Sequence, residues 1–222
     1  MSVNGGKDIV VGAGKASVKV SFKATDRSGI FRDPDGAGLV LWNGPAFLKA
    51  QAVAVGKVKC SYARTSANCT ATVEFKPGSL SLWKNELAGQ WKVHAWAVGA
   101  DGDIFQRDVV AKVNVRRAAS LSVADVTPEP AKKNKDVTVT GSLKRADWVR
   151  SNYGAYGKQN VTLQFRKKGA RNFTNVKTVK SAANGSLKTT VKASASGDYR
   201  WTVAATGTTA GATSKTDFVE VR

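Results

Sequence analysis

Short runs of strict apolar–polar alternation recur along this chain, the pattern of strands with one face buried. In Ser17–Ala24, Val18, Val20 and Phe22 share one face and Lys19, Ser21 and Lys23 the other. Val58, Cys60 and Tyr62 alternate in the same way, as do Cys69, Ala71, Val73 and Phe75. Further strands are predicted at Leu39–Trp42, Phe47–Lys57, Gln90–Val98 and Val109–Val115. Turn residues separate them: Asp33-Pro34-Asp35-Gly36, Asn43-Gly44-Pro45 and Lys76-Pro77-Gly78. Trp83–Leu87 reads as one helical turn, and residues 1–14 read either as a frayed lead or as a first edge strand. In the second half, strands are predicted at Leu121–Val126, Val137–Leu143, Val161–Arg166, Asn175–Val179, Leu187–Val191, Tyr199–Ala205 and Asp217–Val221. Tyr199, Trp201, Val203 and Ala205 share a face and are expected in the core.

Both halves close on one pattern. Gly89-Gln90-Trp91-Lys92-Val93 leads to Val113-Asn114-Val115-Arg116, and Gly197-Asp198-Tyr199-Arg200-Trp201 leads to Val219-Glu220-Val221-Arg222. Each reads as the last two strands of a β-sandwich. The expected fold is therefore all-β: two tandem immunoglobulin-like β-sandwich domains, residues 1–117 and 118–222. The junction Arg116-Arg117-Ala118-Ala119 has neither Gly nor Pro.

Charge changes the picture. The formal net charge is +19, with 35 basic and 16 acidic residues. Up to Arg117 there are 17 basic and 9 acidic residues, and after it 18 and 7, so both halves carry the excess. Such a field attracts polyanions, although lysines on outward strand faces also keep sheet edges unpaired and soluble. No run of 18 apolar residues marks a transmembrane helix, and no signal-type segment opens the chain. The first residues read as the start of a mature domain behind an added Met. Folding Val58–Phe75 as a hairpin around 63–68 puts Cys60 and Cys69 on one side, within reach of a cross-strand disulfide. Two unlinked core thiols are the alternative. A disulfide implies an oxidising compartment, hence export.

The stretches Pro128-Glu129-Pro130-Ala131-Lys132-Lys133, Val137–Gly141, Leu163–Gly169, Leu187–Val191 and Gly197–Trp201 resemble the C-terminal module of secreted actinobacterial proteins with immunoglobulin-like folds. The resemblance covers about residues 120–222. The first half resembles bacterial immunoglobulin-like domains through Ala24–Ile30 and Ala88–Trp91. It implies an exported protein of a Gram-positive filamentous bacterium, some of whose relatives are labelled calcium-binding. The fold does not fix the function.

Candidate chemistry is sparse. His94 is the only histidine and is expected on the outward side of its strand, without recognisable catalytic partners. No pair of carboxylates or phosphate-binding Gly loop declares itself, so an enzyme is not expected. Calcium requires six to eight oxygens, and Asp26, Asp33, Asp35, Asp101 and Asp103 lie in turns that can converge at one end of a sandwich. The same residues serve as ordinary turn formers. The segment Arg145, Trp148, Arg150, Tyr153, Tyr156 and Lys158 interleaves aromatics with cations, a composition that stacks on sugars and holds acidic groups, or that caps a sandwich. The expected partner is an anionic cell-envelope polymer or a protein. Scattered cations and the absence of a reader motif argue against nucleic acid. The alternatives are a calcium-stabilised module and an accessory subunit of a secreted assembly.

Overall fold

The N-terminal residues form two edge strands, Ser2–Val3 (β1) and Ile9–Val11 (β2). Of the two readings of residues 1–14, the edge strand is the one the computed structural model shows. The model describes residues 1–33 and 36–222. β2 runs parallel to the end of the first half, with Ile9 opposite Val115, and buries Ile9 and Val11.

Between these edges the alternating segments pair as one hydrogen-bonded series. It includes Ala16–Thr25 (β3), Ala37–Asn43 (β4), Ala52–Tyr62 (β5), Ser66–Phe75 (β6), Gly89–Val98 (β7) and Ile104–Arg117 (β8). The order is β1-β3-β6-β5-β4-β7-β8-β2. β5 serves both halves of the series: Ala52–Val55 pairs with β4 and Gly56–Tyr62 with β6. At the changeover, a Cβ on Gly56 would stand 2.9 Å from the Ala71 side chain, so the close approach requires glycine. Apolar positions turn inward, and Phe75 meets Trp91 edge-to-face at 5.2 Å. The Trp91 indole N–H donates to the Leu87 carbonyl at 2.8 Å.

The expected strand Phe47–Lys57 begins late. Phe47–Lys49 is instead a 3-10 turn, closed by the Ala50 amide on the Phe47 carbonyl. The turn lays Phe47 over the sheet rather than extending it. The turn expected at Trp83–Leu87 is a 3-10 turn over Asn85–Leu87.

The second half is a two-sheet sandwich. One sheet holds Ala119–Leu121 (β9), Asp125–Thr127 (β10), Asp136–Asp147 (β11), Asn152–Ala155 (β12) and, after two strands of the other sheet, Ser186–Lys192 (β15). The other holds Asn160–Lys167 (β13), Thr174–Lys180 (β14), Gly197–Val203 (β16), Ala212–Thr213 (β17) and Asp217–Val219 (β18). The single strand expected over Leu121–Val126 divides into β9 and β10. Its break lies where the Ser122 hydroxyl accepts the Ser142 amide. Trp201 lies at the centre of the core with Tyr199, Leu163, Leu143 and Val139, whereas Ala205, expected on the same face, is exposed because the strand ends at Val203. Its indole N–H donates to the Thr140 carbonyl at 3.0 Å, and a Cβ on Gly141 would stand 2.7 Å from that nitrogen.

The chain divides into two compact units. The first is Met1–Arg117 with Asp147–Asn152, and the second is Ala118–Ala146 with Tyr153–Arg222. The boundary expected from the sequence, 118–222 for the second domain, is thus corrected at 147–152, which pack with the first unit. Within the first unit, Asp147 and Trp148 are held by Asn85: its amide donates to the Asp147 carboxylate at 3.0 Å, and its carbonyl oxygen accepts the Trp148 amide at 2.9 Å.

Candidate functional site

The aromatic–basic segment is divided between the two units. Trp148 is fully buried in the first unit, with its indole N–H donating to the Val11 carbonyl at 3.2 Å. Arg150, also in that unit, pairs with Asp147 at 3.4 Å. In the second unit Tyr156 belongs to the core, 8% exposed, and its ring carries the Arg145 guanidinium at 4.2 Å. Arg145 also donates to the Thr209 hydroxyl. Tyr153 and Lys158 remain exposed. Trp148 and Tyr156 therefore cannot stack on a ligand as the sequence suggested, because packing and their own hydrogen bonds occupy them.

The disulfide is formed. Cys60 lies opposite Cys69 in the β5–β6 register, with an S–S distance of 1.98 Å. Among the described residues there is no free cysteine.

Asp26, Asp101 and Asp103 line one hollow at an end of the first unit, together with Lys23 and Arg27. The Ser28 hydroxyl, followed by its amide, holds the Asp26 carboxyl below its ordinary value. The Asp101 carboxylate accepts the Asp103 amide at 3.3 Å. Asp33 is not among the residues lining this hollow, and Asp35 lies outside the described residues. Among the described residues no group of three or more His, Cys, Asp or Glu side chains is placed to hold a metal ion.

His94 does lie on the outward side of β7, opposite Val40, but it is covered and only 6% exposed. Its ring stacks on Phe47 with centroids 4.0 Å apart, and its Nδ1 is 3.1 Å from the Asp108 carboxylate.

Sequence reasoning missed the outward face of β14–β13–β16. Alternation sends Val161 and Leu163 inward, so Thr162, Gln164 and Arg166 point out. On β16 the outward residues are Asp198, Arg200 and Thr202. Register then lays polar rows across the sheet: Asn175, Gln164 and Arg200 in one, and Thr178, Thr162, Thr202 and Thr213 in the next. Gln164 donates to Asn175 at 2.9 Å and accepts the Arg200 Nε–H at 2.8 Å. The Arg200 guanidinium lies 3.7 Å from the Phe173 ring centre, and that of Arg166 lies 4.7 Å from it. Arg166 differs in being neutralised, since its Nε and Nη2 both donate to Asp198. A polar groove of about 550 Å³ runs along this face. The outward alternation at 162, 164 and 166 and at 198, 200 and 202 was visible in the sequence. The pairing of these rows, and the arrival of Phe173, were not.

No family model matches the chain, and no curated protein matches it. Solved structures that align with this chain include the fibronectin(III)-like modules of CbhA from Clostridium thermocellum. They are 13% identical, with 97% of this chain and 90% of that chain covered and a TM-score of 0.31. The D00-D0 domain of intimin is 13% identical over 98% of each chain, with a TM-score of 0.30. A marsupial T cell receptor is 11% identical, with 96% of this chain and 70% of that chain covered and a TM-score of 0.34.

Proposed function

We propose that this chain is a secreted, non-enzymatic binding protein whose ligand is an anionic cell-envelope polymer. The carrying observation is the second unit's outward face, where Gln164, one of the residues lining an open polar groove free of carboxylates, holds Arg200 in place. The chain-wide charge of +19 supports the reading by concentrating polyanions near both units. The Cys60–Cys69 disulfide supports an oxidising, exported setting. The one histidine is held in a stack and a carboxylate contact.

The test is retention of envelope fractions and culture medium on the immobilised chain at low and high salt. Polymer retained at low salt and released at high salt is the expected result. A single protein retained at both salts would replace this reading with that of an assembly subunit. A second reading, calcium stabilisation of the first unit, rests on Asp26, Asp101 and Asp103 lining one hollow without forming a preassembled cluster, so the ion would have to draw them together. An unchanged melting temperature with calcium or chelator would remove it.

A further inference from the structure

The second unit's outward face carries a more specific reading, which rests on the polymer-binding function proposed above. We propose that Arg200 and the groove beside it form a built site for an oxyanion carried on a hydroxyl-rich chain, such as the acidic group of a polysaccharide or a polyol phosphate.

Three observations converge. The first is the state of Arg200. Its Nε–H is fixed on Gln164 at 2.8 Å and its Cζ lies 3.7 Å from the Phe173 centroid, while its terminal nitrogens make no hydrogen bond or ion pair among the described residues. A guanidinium held this way presents a rigid fork that carboxylate or phosphate oxygens can accept in pairs. Because Gln164 and Phe173 have already ordered the side chain, little further rotamer freedom is lost on binding. Arg166 is the internal control: it shares the same ring, but its fork is closed by Asp198 at 2.9 Å.

The second observation is the groove itself. Asn160, Thr162, Gln164, Asn175, Thr202 and Thr213 line it, so it offers hydroxyl and amide groups. Such a lining exchanges hydrogen bonds with a hydroxylated chain better than with an apolar one. Hydrogen bonds pre-set two of these side chains: the Thr162 hydroxyl lies 2.9 Å from that of Thr178 on the neighbouring strand, and the Thr202 hydroxyl donates to the Thr162 carbonyl at 3.3 Å. The third observation is sign: the groove lining contains no Asp or Glu, and Asp198, the carboxylate of this face, is taken up by the Nε and Nη2 of Arg166.

The experiment uses the full chain and three probes: polygalacturonate for carboxylates, poly(glycerol phosphate) for phosphates and dextran as the neutral control. Binding is measured by affinity electrophoresis at low and moderate salt. Arg200→Ala is expected to weaken binding of at least one anionic probe about tenfold, the scale of a lost charge-assisted pair. Arg200→Lys should rescue it only in part, because a point charge lacks the fork. Lys19→Gln, an equal charge loss on β3, should change binding less than about twofold, the scale of a surface charge that contacts no ligand. Thr162→Glu, which leaves the arginine in place, should abolish binding by putting a carboxylate in the groove. The anionic probe that responds identifies the source of the oxyanion. Equal effects of Arg200→Ala and Lys19→Gln would overturn this site while leaving polyanion binding intact. Failure of the unmodified chain to bind either anionic probe would overturn both readings, and dextran binding as tight as the anions would remove the role of charge.

Discussion

Two outward sheet faces, one in each unit, start from the same alternation and end differently. On β4 and β7 the outward residues include Trp42, Lys92, His94 and Trp96, and the protein covers Trp42 and His94 itself while Lys92 and Trp96 stay half-buried. Phe47 stacks on His94, the Lys92 ammonium sits 4.3 Å from the Trp42 ring centre, and the Trp42 indole donates to the Asp108 carbonyl at 2.9 Å. The Asp108 carboxylate takes the other side of the contact with His94. On β13 and β16 the outward residues are threonines, Gln164, the Arg166–Asp198 pair and Arg200, and all stay partly exposed, with the Phe173 ring laid against the two arginines. Aromatic side chains on an outward face draw in a lid, because exposed aromatic area is costly. Polar side chains of modest size can stay in water and remain available to a ligand.

The largest effect should come from breaking the sealed face. Trp42→Ala removes a side chain only 2% exposed together with its hydrogen bond, and should destabilise the first unit by about 3–5 kcal/mol in denaturant unfolding. Thr202→Ala on the open face should stay within about 0.5 kcal/mol. If the two cost the same, the contrast between a structural and an available face collapses.

The second prediction compares how each unit is held. Removing both sulfurs with Cys60→Ala and Cys69→Ala should cost about 2–3 kcal/mol on the chain-entropy account of a short loop. The loss should be confined to the first unit. Trp201 is the only tryptophan of the second unit, so its amide exchange should be unchanged while that of Trp91 accelerates.

How much of this was legible follows from the range of each signal. Alternation is local, so β3, β6, β13 and β16 could be read directly, and the Cys60–Cys69 register came from two local patterns and one turn. Phe47 broke the reading because its role is set by His94, far along the chain. Trp148 misled for the same reason. An aromatic among cations looks like a ligand platform until Asn85 and Val11, more than 60 residues away, supply its hydrogen bonds. The Arg200 site was hidden because Gln164, Phe173 and Arg200 come from three separate segments that only register brings together.

The 147–152 segment supplies a smaller and pH-dependent test. The Asn85 amide, followed by the backbone amides of Arg150 and Val149, holds the Asp147 carboxyl below its ordinary value. A carboxyl depressed in the folded state contributes its full stability above its unfolded value, near about 4, and loses it as pH falls through the folded value. Stability of the first unit should therefore decline on acidification below about pH 4. Asp147→Asn should flatten that limb and cost about 1 kcal/mol at neutral pH, since an amide accepts the same backbone groups less strongly. An acid limb identical in the variant would mean that the segment is held by Trp148 packing alone.

The smallest effect on stability should accompany a large effect on the open face. Phe173 is half-buried and touches Arg166 and Arg200 by cation–π contact rather than filling the core. Phe173→Leu should leave stability within about 1 kcal/mol, the scale of such contacts at a partly exposed site. The two arginines should then diverge. Arg166 keeps its carboxylate partner, so its Nε–H should remain protected from exchange. Arg200 keeps only Gln164 and should become mobile, with faster exchange of its Nε–H and weaker polyanion binding at unchanged net charge. If binding persists while Arg200 loosens, the face attracts anions by charge density alone. If both change together, the order that Phe173 imposes on one guanidinium is what separates this face from the other lysine- and arginine-bearing strands of the molecule.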